Sequence, residues 1–437
     1  MIIHKRVNIP CLISFILLFF LIVFTPIPIS ASDNEKITLT LAAGAVGKEL
    51  ELAQKAADMF EDIYPNIRVK VLDTPNLAQD RLGLYLQYLE AKSSALDVYQ
   101  IDVIWPGDLE EHFIDLNHYG AQEVVNDHFE VIITNNTVKR RLVAIPWFTD
   151  AGLLYYRKDL LKKYGLRLPK TWNDLERAAK IIQDKQRAEG NKDFWGFLWQ
   201  GDAYEGLTCN ALEWIYSNSG GAIISRDKKI TINNPHAIEM IKKAAQWVGT
   251  ISPEGVTGMA EEQSRYMWQS GNAAFMRNWP YAYSLGQSKD SAIRNLFDVS
   301  PLPAGKSGKS AATLGGWQLA VSKYSQHPDM AAKLALFLAS YDMQKIRAIE
   351  GSLNPTIKRL YKDPDVIKAN PFFKDLYNVF THAVARPSTV TAPYYNNISQ
   401  LFHKAVYSVL TGKKDARSAI ESLELDLKSL TGFSLKR

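Results

Sequence analysis

The sequence predicts an α/β protein of two lobes, and three observations predict it. A strand, a glycine-bearing loop, a helix and a second strand follow one another within about 35 residues after position 36. That is a βαβ unit and implies a parallel sheet with helices on its faces. Two later stretches, 142–156 and 314–321, read as crossings that carry the chain from one such unit to another. The 437 residues are 46% hydrophobic, 22% charged and 11% aromatic, an ordinary globular balance at a length that supplies at least two cores.

Residues 1–32 stand apart from this fold. Lys5 and Arg6 precede an apolar run from Cys11 to Phe24 broken only by Ser14, and Pro26, Pro28 and Ser30-Ala31-Ser32 follow. Charge, apolar core and small residues in that order predict a secretory signal peptide, cut after Ala31 or Ser32. The run is shorter than the ~20 residues of a membrane-spanning helix, so the expected product is soluble and periplasmic.

Beyond it, Ile37, Leu39 and Leu41 alternate with Thr38 and Thr40 as a strand, and Gly44 to Gly47 form a loop. Leu52, Ala56, Met59, Phe60 and Ile63 recur at helical spacing until Pro65. Ile67, Val69 and Val71 make the next strand, Leu82, Leu86 and Leu89 the next helix, and 98–104 a third strand. Residues 142–156 read as two strands joined through a short kink. Helices are expected near 172–188, 205–218, 235–248 and 259–270. A glycine- and proline-rich loop at 301–308 leads to the strand 314–321. A helix after Pro328 turns Ala331, Leu334, Phe337 and Leu338 inward, and three more helices complete the chain.

Several chemistries drop out. The net charge of +5 comes without a run of five Lys or Arg, which argues against a nucleic-acid partner. Of two cysteines, Cys11 belongs to the leader, so no internal disulfide forms. Cys209, in the apolar stretch 207–215, is expected to be a buried small hydrophobe. The run Gly44 to Glu49 imitates a phosphate loop, but Ala42 replaces its first glycine and Glu49 its magnesium-binding hydroxyl residue. No G-x-S-x-G nucleophile elbow occurs, and His112 and His118 are too far apart to share a helical face as metal ligands. No cofactor is expected.

What remains is aromatic residues beside glycine, acid and arginine at the crossings. Phe148 and Asp150 flank the first, Gly315-Gly316-Trp317 sits at the second, Trp279-Pro280-Tyr281 follows Arg277-Asn278, and Arg386 precedes Tyr394-Tyr395. A sugar ring presents apolar C–H faces to aromatic rings and a rim of hydroxyls to charged or amide groups, and clefts between domains are where such sites form. Two other readings of the same residues stay open. One is a secreted glycoside hydrolase using a carboxylate pair from Glu49, Asp102 and Asp150; the other is a binding cleft for a polyamine or a metal-chelate.

The run Ala144-Ile145-Pro146-Trp147-Phe148-Thr149-Asp150-Ala151-Gly152-Leu153-Leu154-Tyr155-Tyr156 continues through Arg157-Lys158-Asp159-Leu160-Leu161. Pro169-Lys170-Thr171-Trp172, Met276-Arg277-Asn278-Trp279-Pro280-Tyr281 and Leu314-Gly315-Gly316-Trp317 follow in order. With these motifs the chain resembles the extracellular solute-binding proteins of bacterial ABC sugar importers, in the group that takes up trehalose, maltose and sucrose. The resemblance implies a two-lobed periplasmic-binding-protein fold, each lobe a mostly parallel sheet flanked by helices, joined by hinge crossings. It implies an N-lobe of 33–149 with 316–353 and a C-lobe of 150–315 with 354–437, the third crossing falling near 353–355.

It also implies a monomer that is no enzyme, closing on a disaccharide and presenting it to the transmembrane subunits of an ABC permease. The sugar contacts it carries over are Glu49, Arg81, Asp102, Phe148, Asp150, Trp279, Tyr281, the backbone of Gly315, Trp317 and Arg386. Phe148 departs from the pattern, lacking the hydroxyl of a tyrosine that occurs there. Gln200, Tyr204 and Glu205 are secondary cleft candidates. Contacts to hydroxyls are expected to keep the acids ionised.

Overall fold

A computed structural model describes residues 36–436 apart from 382, without the side chains of 375, 376, 380 and 381. The expected signal peptide lies outside the described residues. Nine strands form two sheets: β1 (Ile37–Ala43), β2 (Ile67–Asp73), β3 (Val98–Asp102), β4 (Ile145–Ala151), β5 (Leu153–Arg157), β6 (Trp195–Leu198), β7 (Ala273–Asn278), β8 (Phe297–Ser300) and β9 (Leu314–Val321). The first sheet has the order β2-β1-β3-β9-β4 and the second the order β8-β5-β7-β6.

Both sheets are mixed, where the resemblance implied mostly parallel ones. In the first, β1 runs parallel to β2 and β3, while β9 runs antiparallel to β3 and β4. In the second, β5 opposes β7 and β8, and only β7 and β6 are parallel. The reason lies in the crossings. A helix returns the chain to the far end of its own sheet and so yields a parallel neighbour. A strand arriving from the other lobe enters at the end where its neighbours leave, as β5 and β9 do, and must run against them.

The helices are α1 (Glu49–Ile63), α2 (Ala78–Glu90), α3 (Trp172–Ala188), α4 (Glu205–Ser217), α5 (Pro235–Trp247), α6 (Glu261–Gln269), α7 (Pro328–Leu338), α8 (Tyr341–Gly351), α9 (Tyr395–Leu410) and α10 (Ala416–Thr431), with shorter ones between. Local signals fix several of their starts. Thr171 and Asp174 cap α3 reciprocally, and the Asn234 side chain accepts from two backbone amides just before Pro235 opens α5. Leu52, Ala56 and Phe60 turn the apolar stripe of α1 onto the first sheet, leaving Ile63 exposed at its end. Among the described residues no helix is long and apolar enough to cross a membrane.

After α7 the described residues hold six α-helices, against three expected. The helix Pro364–Ala369 packs on α8, and the helix Phe373–Thr381 packs on β4. Leu360, Val366, Phe372 and Phe373 are buried in the same apolar cluster as Leu39, Phe60 and Leu338. Residues 364–381 thus pack against α8 and β4. Val384 exchanges backbone hydrogen bonds with Ala312 and Leu314. Beyond it, α9 packs on α4 and α5, and α10 on α5 and α9.

Candidate functional site

The carboxyl ends of β1, β3, β4, β6 and β7 and the entry of β9 meet in one cleft, the place where α/β sheets expose strand ends and loops to ligands. Three helices begin there, each with a glutamate as its first residue: Glu49 on α1, Glu205 on α4 and Glu261 on α6. A negative charge at a helix N-terminus is favoured by the helix dipole. Nine of the ten expected contact residues line a single cavity of about 70 Å³ in this cleft. Arg81 is the exception: it lies behind Trp317, its Cζ 4.1 Å from the centre of that ring.

Aromatic rings line much of it. Phe148 and Trp317 are paired in register across β4 and β9. Tyr204, Trp279 and Tyr281 line it as well. Gly316 makes the pairing of Phe148 with Trp317 possible, since its φ is +127° and a Cβ there would lie 2.6 Å from the Phe148 carbonyl oxygen. Gly47, with φ +60°, lets its loop touch the Tyr281 ring across the cleft, 2.5 Å from where a Cβ would sit.

Tyr204, Trp279 and Tyr281 are held from behind. Tyr204 Oη donates to Glu261 at 2.6 Å and Trp279 Nε1 donates to the same carboxylate at 3.2 Å. Tyr281 Oη donates to Glu262 at 2.7 Å. Arg277 stacks on Trp279, 3.8 Å from the ring centre, and is gripped by Glu213 through two hydrogen bonds of 2.9 and 2.5 Å. Gln200 accepts from Arg277 Nη1 and belongs to this support.

Arg386 ties three distant segments. Its Nη2 donates to Asp102 at 2.8 Å and its Nη1 to Glu205 at 2.8 Å, and Glu205 also accepts from Tyr395 and Ser399. Burial raises the Asp102 carboxyl, against the opposing pull of Arg386. Glu49 is likewise raised by burial, with Arg81 and a 2.8 Å hydrogen bond from Gln100 opposing. Two buried guanidinium groups are underused. Among the described residues Arg81 leaves both terminal nitrogens without a partner, and Arg347, stacked 3.8 Å over Trp147, leaves all three of its nitrogens so. Burial brings Arg347 down to about 9, although Glu49 and Asp150 favour its charged form.

Asp150 departs most from expectation. It is buried, its Oδ1 has no partner among the described residues, and burial followed by repulsion from Glu49 raises its carboxyl well above 3.8. Hydroxyl contacts were expected to keep this acid ionised; burial and Glu49 push its carboxyl the other way. The folded state holds that proton more tightly than the unfolded chain, so stability is lost as pH rises above 3.8 towards the folded value. Asp150→Asn is therefore expected to raise the unfolding midpoint at neutral pH and to flatten this pH slope. Urea unfolding between about pH 4 and 7 checks it, and an unchanged slope would contradict it.

Sequence reasoning had named Tyr204 and Glu205 only as secondary, and it missed Glu213, Glu261, Glu262 and Arg347. A glutamate opening a helix directly after a strand and loop is the signal that would have found Glu205. Cys209 is buried as expected, but it also touches the cavity, and burial pushes its thiol upward. Among the described residues no cluster of three or more His, Cys, Asp or Glu is arranged to hold a metal ion.

Residues 45–345 match the family model described as bacterial extracellular solute-binding protein. A Deinococcus radiodurans protein named "Probable ABC transporter-binding protein" is 50% identical over 404 residues, covering 92% of this chain and 96% of that one. The maltodextrin-binding protein MdxE of Bacillus subtilis is 25% identical over 299 residues, 65% of each chain. Maltose-bound T. maritima MalE3 is similar in structure with a TM-score of 0.86 at 40% identity, covering 90% of this chain and 100% of that one.

Proposed function

We propose, on the premise that this chain belongs to the bacterial extracellular solute-binding proteins, that it is the receptor of an ABC importer for a disaccharide of the trehalose, maltose or sucrose type. Its fold is the two-lobed α/β fold of periplasmic binding proteins, and its relatives bind solutes and are not enzymes. The observation that carries the ligand class is the lining of one cavity by five aromatic residues together with Glu49, Asp102 and Asp150. Rings take the C–H faces of a sugar and carboxylates take its hydroxyls. The structural relative at 40% identity is described as maltose bound, which agrees with that chemistry.

In this reading the protein acts in the periplasm as a monomer and hands its ligand to the transmembrane permease subunits. One lobe comprises 37–151 with 314–381, the other 153–300 with 384–436, and both close on the sugar. Calorimetry with trehalose, maltose, sucrose and glucose tests the proposal. At least one disaccharide should bind more tightly than glucose, and a day's incubation should release no glucose above a buffer control. Absence of binding across the panel would refute the ligand class. Glucose release that scales with protein and vanishes in Asp150→Asn would refute the receptor.

A further inference from the structure

Among the described residues four buried arginines act on the acids of the cavity, and three of them are held by other groups. Arg386 bridges Asp102 and Glu205, Arg277 is gripped by Glu213, and Arg81 donates its Nε to the Pro75 carbonyl at 3.0 Å. Arg347, on α8, differs. Its Cζ lies 3.8 Å from the centre of the Trp147 ring and 5.1 Å from that of Phe148, and its side-chain nitrogens have no partner among the described residues. A cation is attracted to aromatic ring faces without using its hydrogen-bond donors. The two rings thus fix a buried charge behind the cavity that Phe148 lines, bonded to no carboxylate.

Asp150 and Glu49 are the acids it faces. Burial raises both carboxyls. On Asp150, Glu49 of α1 and Asp102 of β3 push the same way, while Arg277 of β7 and Arg347 oppose. On Glu49, Glu262 of α6 adds to the rise, and Arg81 of α2, Gln100 of β3 and Arg347 oppose it. Tyr155 of β5 and Tyr361 act on Asp150 as uncharged phenols, since burial holds them well above 10. Arg347 therefore favours the ionised form of both acids at once. Burial lowers it only to about 9, so at neutral pH it keeps its charge. Charges shielded from water are screened far less than exposed ones.

Resting on the sugar reading above, we propose that Arg347 is a positioning residue for the ligand: held on the Trp147 and Phe148 rings, it is the counter-charge that lets Glu49 and Asp150 offer ionised oxygens to hydroxyls. Calorimetry on the full chain with maltose, trehalose and sucrose, from about pH 5 to 8, tests it. Without the cation both carboxyls rise, so binding that needs them ionised is lost at a higher pH. Arg347→Met and Arg347→Gln should each weaken the best-bound sugar about tenfold at neutral pH and move the acid limb of the affinity profile up by about one pH unit. Arg347→Lys, which keeps a cation, should stay within about threefold of the wild type. A neutral variant that folds, by circular dichroism, with the acid limb unmoved would overturn the inference whatever its affinity. So would a loss in Arg347→Lys equal to that in Arg347→Met, or failure of both neutral variants to fold, since either makes Arg347 a packing residue. In all these cases the wild type still binds sugar and the receptor reading stands. A wild type that binds none of the sugars overturns both.

Discussion

Arg277→Met is expected to lower the unfolding free energy by about 3–5 kcal/mol, the typical result of removing one partner from a fully buried ion pair. Arg277 and Glu213 are both wholly inaccessible, and Glu213 also accepts from the Thr313 amide, so the abandoned carboxylate has no route to water. Glu213 is raised by burial and held down mainly by Arg277, so without Arg277 it should take up a proton. Denaturant unfolding at neutral pH measures the loss. The double variant Arg277→Met with Glu213→Leu should recover part of it, because an apolar pair of similar volume avoids the stranded charge. A loss below about 1 kcal/mol would mean that water reaches the pair.

Trp317→Ala should weaken sugar binding by about 1–3 kcal/mol, a factor of roughly 5 to 150, with the fold retained. The indole is only partly buried, makes an edge contact with Trp105 at 5.8 Å and has Arg81 stacked over it at 4.1 Å. Losing it removes a wall of the cleft and frees a guanidinium whose terminal nitrogens have no other hold. Calorimetry on folded variant, verified by circular dichroism, checks the prediction. If the variant unfolds while affinity per folded molecule is unchanged, Trp317 is a core residue.

Helices were legible because their periodicity is local: α3 matches its expected span residue for residue, and α4, α5 and α6 differ by one or two residues at an end. Strand direction was not, because it depends on the side of the cleft from which a strand re-enters. Nor was the packing of 364–381 on α8 and β4, since an apolar residue such as Phe373 would suit either core. Within the site, Trp279, Tyr281 and Trp317 stood out because aromatic residues beside glycine and proline are unusual in exposed loops. Glu213 and Arg347 sit within helices like ordinary surface charges, and the partner of Glu213 is 64 residues away. What a helical charge faces is decided by packing between elements, which no local pattern records.

The bridge from Arg386 to Asp102 and Glu205 has a kinetic consequence. With those bonds in place the inner cavity holds about 70 Å³, roughly half of what a single six-membered ring occupies. Under the proposed sugar reading, an arriving ligand finds the cleft closed, and productive association waits until the guanidinium releases one carboxylate and the lobes part. Under the same reading, the frequency of that parting sets a ceiling on the capture rate however much sugar is present. Once the cleft has reclosed around the sugar, the same step governs how long the cargo is retained before delivery.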